Sequence, residues 1–545
     1  MLLRRSPQNT KGQTLMIALS MLVIMSIAAT SLIFVSVNER KQALRYRLQT
    51  EAFYLAEGGI ENAISAFTAA IADYSIARDI PMYNVTTTYT TFGNVTVNAT
   101  ITRLENAERS IAEGTTNILV RNYDVNATAR HPADITVVAV HHQIIARRLI
   151  PTFQHLVFYQ NDLEILPGAN MNLNGRIHSN RDIYIDADGS ATVLTVNSSY
   201  FHSAGDIFNQ RKDSGAELPG EVTFRVNATA PSQYANMTNL DCDNTNWTTD
   251  AVARWNGTVQ SAVHGVTELA VPSVASIQPT GYYADNADVV IVNDQVRKGG
   301  SALTPGVHYP AAAITNNTSL YNNREGKYIK TTNINIKLLA GGTIGNTTYP
   351  NILPSNGLLY ATRDDAGTSY EPAIRLINAS QISCSTGLTV ASNDPVYIQG
   401  NFNTVDETPA SVISDSLNVL SNNWNDSRST STQINATTRA ATNTTVNCAF
   451  ISGILPTTPG TYAGGLENYP RLHEYWTGTQ LNIKGSFVAL WNSSIGTGAW
   501  VYGAPQYTAP IRNWYYNANF SNTSALPPFT PCAVEAQRIA WWKEQ

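Results

Sequence analysis

The sequence TLMIALSMLVIMSIAATSLIFVSV, residues 14–37, contains no charged residue. It is roughly 24 residues long, and about 20 apolar residues are enough for a helix to cross a bilayer. Because water does not reach backbone groups inside a bilayer, a segment that crosses alone must pair them internally as a helix. The run therefore predicts a membrane-spanning helix, with the residues before it and the residues after it on opposite sides of the membrane.

Basic residues precede the apolar run, at Arg4, Arg5 and Lys11. Lysine and arginine beside a membrane segment are retained on the cytoplasmic side. We therefore predict a cytoplasmic N-terminus, with all residues after Val37 outside the cytoplasm. A secretory signal peptide is the alternative, but its apolar region is usually about 7–15 residues long and ends at a cleavage site with small residues.

The helical pattern continues beyond the membrane run to about Ala77, and Pro81 ends it. A rise of about 1.5 Å per residue gives a rod of roughly 90 Å. Gly58-Gly59 is its weak point, since each glycine costs a helix about 1 kcal/mol relative to alanine. Apolar residues recur mostly at spacings of three and four and predict a face that packs on a partner. They are Leu44, Leu48, Ala52, Leu55, Ile60, Ala63, Ile64, Phe67, Ile71 and Tyr74.

From Tyr83 to about Ala146 the period changes to two, and β-branched residues dominate. Val95–Val97, Ile118–Val120 and Ile135–Val140 are typical of strands separated by turns. A helix followed by such strands favours an α+β unit in which the helix lies on a small antiparallel sheet.

From Phe153 onward the chain is rich in short, loosely repeated strand patterns that end in glycine or asparagine. Such units suit the rungs of a parallel β-solenoid, with a β-sandwich as the alternative. Two helical patterns interrupt them, Leu466–Trp476 and Cys532–Trp542. The predicted strands lie at Asp162–Ile165, Met171–Ile177, Asp182–Ile185, Asn333–Leu338, Gly387–Val390, Pro395–Gly400, Leu417–Leu420, Thr445–Ile451 and Gln480–Phe487.

Charge and cysteine content narrow the function. The chain has 545 residues, a formal net charge of −5 and 14% charged residues, which argues against a nucleic-acid-binding surface. The cysteines all follow the membrane run, where an oxidising compartment would allow two disulfides in three connectivities. Free buried thiols are the alternative, and the spacing is too wide for a zinc site. The four residues are Cys242, Cys384, Cys448 and Cys532.

Two motifs resemble catalytic or metal sites without completing one. His141-His142 lies in a strand pattern, so the two side chains point to opposite faces and do not chelate one metal ion. His178-Ser179 is not surrounded by a nucleophile elbow, and adjacent side chains on a strand diverge.

Acidic motifs are equally incomplete. Asp186–Gly189 begins like a calcium loop but lacks the later acidic ligand, so it predicts a tight turn. Asp364-Asp365 and Asp406-Glu407 would serve a glycosidase only if the fold brought them together. We therefore predict no catalytic residue, no metal site and no cofactor.

Two further motifs flank the membrane run, Lys11-Gly12 before it and Glu51–Ile60, EAFYLAEGGI, after it. With the uncharged helix they resemble type IV pilin-like proteins, most of all PilX-type minor pilins and the related pseudopilins of type II secretion. The resemblance covers roughly residues 1–75. It implies that a prepilin peptidase cuts between Gly12 and Gln13, and that the apolar helix becomes the core of a filament.

Ile17 departs from the pattern of major pilins, which carry a glutamate at this fifth mature position. In that family the glutamate pairs with the N-terminal amine of a neighbouring subunit, and a lone partner in an apolar core would be costly. The helix, including Ile17, Glu51 and Glu57, is therefore expected to enter a filament without repeating along its shaft.

The resemblance and the strand patterns together predict four segments: a prepilin-type leader (1–12), the pilin helix (13–80), a pilin-like β-meander (81–155) and a large β-rich region (156–545). It implies a non-enzymatic minor pilin or pseudopilin of a type IV pilus or type II secretion filament, initiating the filament or located at its tip. The expected location is the inner membrane, with the bulk periplasmic or at the cell surface.

The expected partners are the inner membrane, other pilin-like subunits, the prepilin peptidase, the assembly platform, and a surface polymer or secreted cargo. The first alternative is a signal-anchored adhesin or structural protein of the cell envelope that forms no filament. A membrane-tethered enzyme acting on polysaccharides is the less favoured alternative.

Overall fold

The structure is a computed structural model that describes residues 10–92, 94–114, 116–227 and 232–543. Its N-terminal part is a long helix followed by antiparallel strands. These elements are α1 (Thr10–Ala72), β1 (Met82–Tyr89), β2 (Val95–Arg103), β3 (Arg109–Glu113), β4 (Thr116–His131) and β5 (Asp134–Pro151).

The next part contains short strands and one helix. These elements are β6 (Val157–Tyr159), β7 (Leu163–Ile165), β8 (Met171–Asn174), β9 (Ile177–Ser179), β10 (Ile183–Ile185), β11 (Val193–Asn197), β12 (Phe201–Ser203), β13 (Ile207–Phe208), β14 (Glu221–Arg225), β15 (Tyr234–Asn236), α2 (Trp247–Trp255) and β16 (Val259–Gln260).

The last part is also built mainly from strands. These elements are α3 (Tyr282–Asn286), β17 (Val289–Val292), β18 (Gln295–Lys298), β19 (Ser301–Leu303), β20 (Ile314–Asn322), β21 (Lys327–Asn335), α4 (Ile336–Leu339), β22 (Gly342–Ile344), β23 (Thr347–Tyr349), β24 (Leu358–Thr362), β25 (Tyr370–Ile377), β26 (Leu388–Ala391), β27 (Val396–Gln399), β28 (Ala410–Ser414), β29 (Leu417–Leu420), β30 (Thr444–Ser452), β31 (Arg471–Leu472), β32 (Gln480–Ala489), β33 (Ile511–Tyr516) and β34 (Cys532–Lys543).

The helix α1 passes without a break from the apolar run into the amphipathic run, because no proline interrupts it. It ends at Ala72, five residues before the predicted end. Tyr74 follows in the left-handed region, with φ 59°, which turns the chain out of the helix. The α+β expectation is confirmed at this level: a long N-terminal apolar helix precedes a large β-rich region.

One six-stranded antiparallel sheet carries the helix, in the order β1-β2-β4-β5-β34 with β3 beside β4. Apolar side chains from both layers form the core between them, including Phe67 of α1 and Val97, Tyr123 and Ile145 of the sheet. All four are essentially inaccessible to solvent. The amphipathic face of α1 is therefore covered by its own sheet.

The predicted helix at Cys532–Trp542 is wrong, because these residues form β34. The strand pairs antiparallel with β5 from Cys532 opposite Pro151 to Lys543 opposite His141. Eleven residues are too few to separate a helical from a strand pattern by spacing alone, and the edge of β5 offers unpaired backbone groups. The large β-rich region is thus inserted between two neighbouring strands of the helix-bearing sheet.

The large β-rich region begins with strands that repeat in threes. β6, β7 and β8 enter three different sheets, and β9, β10 and β11 then pair in parallel with them in the same order. β12, β13 and β14 add a third layer. Each turn of chain therefore stacks directly on the previous one.

The second half of this region alternates between two sheets. β24, β26, β28, β30 and β32 are parallel neighbours in a 13-stranded sheet, and β25, β27, β29 and β31 are parallel neighbours in a six-stranded sheet. The predicted helix at Leu466–Trp476 is wrong beyond a 3₁₀ turn at Leu466–Asn468. The predicted strand Asn333–Leu338 stops at Asn335, where α4 begins.

The two halves meet where β32 pairs in parallel with β6, with Phe487 opposite Val157. In the 13-stranded sheet, β6 therefore lies in the middle, and the chain runs from it towards one edge at β16. It then crosses to the other half of the sheet at β17 and returns strand by strand to β32, beside β6. Along the first half, Asp182 Oδ1 accepts a hydrogen bond from the Asp206 amide (2.9 Å), and Asp162 Oδ1 accepts one from the Asp182 amide (3.1 Å). Aspartates at equivalent positions thus hold successive turns together.

Candidate functional site

The first half of α1 projects from the rest of the structure. Residues 12–47 are all exposed, so a helical segment roughly 50 Å long has no protein packed against it. The part with the apolar run is long and apolar enough to cross a membrane by length and composition. Its large apolar side chains, such as Leu22 and Phe34, are 68% and 70% exposed. A surface of this kind requires a membrane or other helices around it.

The second half of α1 packs on the sheet with the face that its spacing predicted. Leu48, Leu55, Ile60 and Phe67 are buried, whereas Leu44 is 56% exposed. The sheet therefore covers the helix from about one turn after Leu44 onward, and the division between free and covered helix is sharp.

Gly58 and Gly59 let the helix approach the sheet. A Cβ atom placed on Gly59 would lie 2.5 Å from Val97 Cγ1, and one on Gly58 would lie 2.7 Å from the Tyr89 hydroxyl. The sequence indicates these residues as a weakness in the helix. In the structure these glycines lower the helix propensity of α1, but the absence of a Cβ on Gly59 allows α1 to pack closely against Val97 of β2.

Glu51 fixes the helix to the turn between β4 and β5. Its carboxylate accepts a hydrogen bond from Arg47 Nε (2.8 Å) and contacts His131 Nε2 (2.8 Å). The hydrogen bond from Arg47, followed by that from His131, lowers the pKa of Glu51. Sequence reasoning placed Glu51 on the filament helix but did not identify His131 as its partner, because 80 residues separate them.

The predicted processing site lies at the start of the described helix. Gly12 and Gln13 are in the first turns of α1, and no other group lies within 4 Å of a Cβ placed on Gly12. The leader residues Arg4 and Arg5 lie outside the described residues. Ile17 is 59% exposed. Glu57 is exposed and lies beside Trp541 at a surface cavity.

His141 and His142 point to opposite faces of β5, as predicted. His141 is buried against Phe53 of α1, with ring centroids 4.4 Å apart. His142 contacts Asp124 on β4 through Nδ1 (3.1 Å). Across the residues that the structure describes, no group of three or more His, Cys, Asp or Glu side chains is arranged to hold a metal ion.

His178 and Ser179 do not form a nucleophile and base pair. His178 Nε2 bonds to Asn180 Oδ1 (2.9 Å), while the Ser179 hydroxyl donates to the carbonyl of Asn161 (2.9 Å). Burial lowers the pKa of His178 to about 4, so the ring is neutral. Asp186 accepts hydrogen bonds from the amides of Ala187 and Leu218, which makes it a turn residue.

The two acidic pairs are engaged with separate partners. Asp365 pairs with Arg363 and Lys330, both at 2.8 Å. Glu407 pairs with Lys484 at 2.9 Å.

Asp364 and Asp406 have neutral partners instead, the side-chain amides of Asn293 (2.7 Å) and Gln381 (2.8 Å). Among the described residues, the two acidic pairs therefore have no side-chain partner in common.

In the structure all four cysteines are free: Cys242, Cys384, Cys448 and Cys532. Their surroundings differ: Cys532 lies in the core under α1, whereas Cys384 and Cys448 lie in the core of the large β-rich region. Burial raises the pKa of the Cys532 and Cys448 thiols. Cys384, Cys448 and Cys532 are buried, and Cys242 is partly exposed.

Comparison with known proteins gives one informative match. Residues 11–61 match the family described as PilX N-terminal. A search of curated protein sequences gives no match. The crystal structure of the competence-associated pilin ComZ from Thermus thermophilus aligns with 91% of this chain and 97% of its own, at 9% identity and a TM-score of 0.22, a likeness too slight to establish a shared fold. The family match confirms the resemblance seen in the sequence over residues 11–61, the segment that is similar to the PilX N-terminal family.

Proposed function

We propose that this chain is a minor pilin of a type IV pilus or a pseudopilin of a type II secretion filament. The prepilin peptidase cuts after Gly12, and the helix from Gln13 onward anchors the subunit in the inner membrane. The same helix later enters a filament core, and the large β-rich region faces outward. The observation that carries the proposal is one continuous helix whose first half is free and whose second half is covered by its own sheet.

An initiating or tip position fits two features of the chain. Ile17 stands where repeating subunits carry a charged partner for the neighbouring amine, so each added copy would leave that amine unpaired in an apolar core. The β-rich region is also several times larger than the helix-bearing sheet, and copies of it would crowd one another along a shaft.

The large β-rich region supports a role in display. We propose that its stacked parallel strands form a β-solenoid that serves as a rigid spacer and binding surface for a surface polymer or a secreted cargo. Parallel stacking with aspartate hydrogen bonds between turns makes each layer rest on the previous one. A stiff projection of this kind keeps its outer face at a fixed distance from the membrane.

The direct test is mass spectrometry of the N-terminus of the mature protein. The chain would be produced in a bacterial host with its prepilin peptidase and in the same host without it. We expect Gln13 as the first residue in the former and an uncut chain in the latter. The variant Gly12→Val should stay uncut in both hosts. A mature N-terminus beyond Val37, or no dependence on the peptidase, would contradict the proposal.

A signal-anchored adhesin without filament assembly is the second candidate, because the free half of α1 also suits a simple anchor. The two differ in what the peptidase does. An anchored adhesin reaches the cell surface equally well in the host without the peptidase, whereas the filament subunit does not.

A further inference from the structure

The face of α1 that carries the sheet continues, uncovered, towards the apolar run. Leu48 and Ala52 of this face are buried together with Val137 of β5. Arg45 and Lys41 precede Leu48 by three and seven residues, which places them on the same side of the helix. Both side chains are exposed. An open notch therefore lies between the apolar run and the end of the sheet.

This notch lies at the depth of the lipid headgroups. The apolar run ends at Val37, and a rise of about 1.5 Å per residue places Lys41 about 6 Å and Arg45 about 12 Å beyond it. The headgroup layer is about 5–8 Å thick on each side of the hydrocarbon core. Because helical side chains tilt towards the N-terminus, the long Arg45 side chain extends back towards this layer.

The turn between β4 and β5 forms the wall of the notch opposite the membrane. The contact of His131 Nε2 with Glu51 Oε2 (2.8 Å) holds this turn against α1. The carboxylate of Glu51 also accepts a hydrogen bond from Arg47 Nε (2.8 Å), so its charge is compensated. Ile135, at the start of β5, is 74% exposed. The end of the sheet nearest the apolar run therefore carries an uncovered apolar side chain.

The acidic side chains around the notch do not neutralise it. Asp134, beside the turn, accepts hydrogen bonds from the hydroxyl (2.6 Å) and the amide (3.0 Å) of Thr136. These hydrogen bonds, and to a smaller extent the charge of Arg45, lower the pKa of Asp134. Glu39 lies two residues before Lys41 and therefore points to the other side of the helix. Among the described residues, neither Lys41 nor Arg45 forms an ion pair, and the two together outweigh the one nearby carboxylate.

We propose that this notch binds the headgroup of an acidic phospholipid from the periplasmic leaflet of the inner membrane, with the phosphate between Lys41 and Arg45. Position selects a lipid as the occupant, because the headgroups of the bilayer surround the helix at this depth. Arginine binds a phosphate through two parallel hydrogen bonds, and lysine binds it as a point charge. The inference rests on the proposed anchoring of α1 in the membrane, and not on cleavage at Gly12 or on filament assembly.

The test is native mass spectrometry of the full chain released from nanodiscs that contain equal amounts of phosphatidylglycerol and phosphatidylcholine. The measured quantity is the ratio of the two lipids that stay bound. We expect about threefold or more phosphatidylglycerol, because each basic side chain near an acidic lipid adds attraction. Higher salt during release should lower the ratio, since salt screens exposed charges. Equal retention of the two lipids by the unmodified chain would overturn the proposal.

Variants locate the site. The double variant Lys41→Gln/Arg45→Gln should retain the two lipids about equally. Arg40→Gln is the matched control, because Arg40 is exposed at nearly the same depth as Lys41 but lies about 100° around the helix. It should keep most of the preference for phosphatidylglycerol. An equal loss of preference in Arg40→Gln and in Lys41→Gln would overturn the notch, since the basic residues would then act only as diffuse charge.

Two checks separate this inference from other failures. The double variant should keep its melting temperature, because both replaced side chains are exposed. If it melts at a lower temperature, the single variant Lys41→Gln decides, and an unchanged lipid ratio in that variant would overturn the proposal. Equal lipid retention in a chain that is cut normally at Gly12 would reject the lipid site and leave the filament role intact.

Discussion

Trp542 lies flat on His142, with ring centroids 4.8 Å apart and ring planes inclined by 4°. The two residues belong to β34 and β5, which are neighbours in the sheet although 400 positions separate the residues. This contact lies near the far end of a strand pair that begins at Cys532 opposite Pro151. It shows that the last described strand completes the sheet on which α1 rests.

The first prediction concerns this strand. Val534 is 2% exposed in the core under α1, whereas Ile539 on the same strand is 56% exposed. Val534→Asp should lower the free energy of unfolding by about 3 kcal/mol or more, because it buries an unpaired carboxylate. Ile539→Asp should change it by less than about 0.5 kcal/mol. Thermal unfolding followed by circular dichroism measures both, and equal effects would show that β34 does not complete the core.

The second prediction concerns the two glycines of α1. Gly59→Ala places a Cβ 2.5 Å from Val97 Cγ1. Because valine is β-branched, Val97 has few alternative rotamers that would relieve this clash. We expect a net loss of about 1–3 kcal/mol in stability. Gly58→Ala meets only the terminal hydroxyl of Tyr89, which can move, so the gain in helix propensity of about 1 kcal/mol should dominate. Denaturant unfolding of the two variants should therefore give opposite signs.

The third prediction concerns the aspartates between turns. Asp182→Ala removes the oxygen that accepts the hydrogen bond from the Asp206 amide and should cost about 1–3 kcal/mol. Asp182→Asn keeps an acceptor oxygen and should cost less than about 1 kcal/mol. Hydrogen exchange at the Asp206 amide is the local measurement. We expect the Asp206 amide to exchange faster in Asp182→Ala but not in Asp182→Asn. Equal exchange rates in the wild type and both variants would show that the Asp182 carboxylate does not hold the two turns together.

The fourth prediction is a pH dependence. Glu371 is 5% exposed, and burial raises its pKa from 4.5 to about 8. Because the folded pKa lies above the unfolded one, this residue's contribution to stability is complete below about pH 4.5 and is lost as the pH rises through about 8. Glu371→Gln should therefore raise the melting temperature at pH 9 and change it little at pH 4.5.

The control for this experiment is Glu221→Gln, at an exposed position on β14. It should shift the melting temperature equally at both pH values. A Glu371→Gln effect that is also independent of pH would show that burial does not hold this carboxyl group in its neutral form.

The helix could be predicted from the sequence because its signals are local. A charge-free run, an absence of proline and apolar residues at spacings of three and four are all visible within residues 14–71, and Phe67 and Ile60 are buried as expected. Most short strands could also be predicted from the sequence, because each contains β-branched residues and ends in glycine or asparagine. These features depend on neighbours within one or two turns of chain.

The order of the strands could not be predicted, because it depends on distant partners. Nothing near Phe487 indicates that it pairs with Val157, which lies 330 positions earlier. The helical assignment of residues 532–542 failed for the same reason, since only the open edge of β5 selects the extended form. The polar cavity lined by Glu164, Arg324 and Arg471 could not be predicted either, because its walls come from segments scattered between residues 159 and 492.

The insertion of the β-rich region between β5 and β34 has a mechanical consequence. Both strands join that region at the same end, where Pro151 faces Cys532. A tensile load on the outer region therefore pulls along the strand axes, at right angles to the hydrogen bonds of the antiparallel ladder. The load is shared by two strands, of which β5 is held on one side by β4, from Leu119 opposite Leu149 to His131 opposite Asp134, and on the other by β34. The junction between anchor and outer region is thus arranged to resist traction.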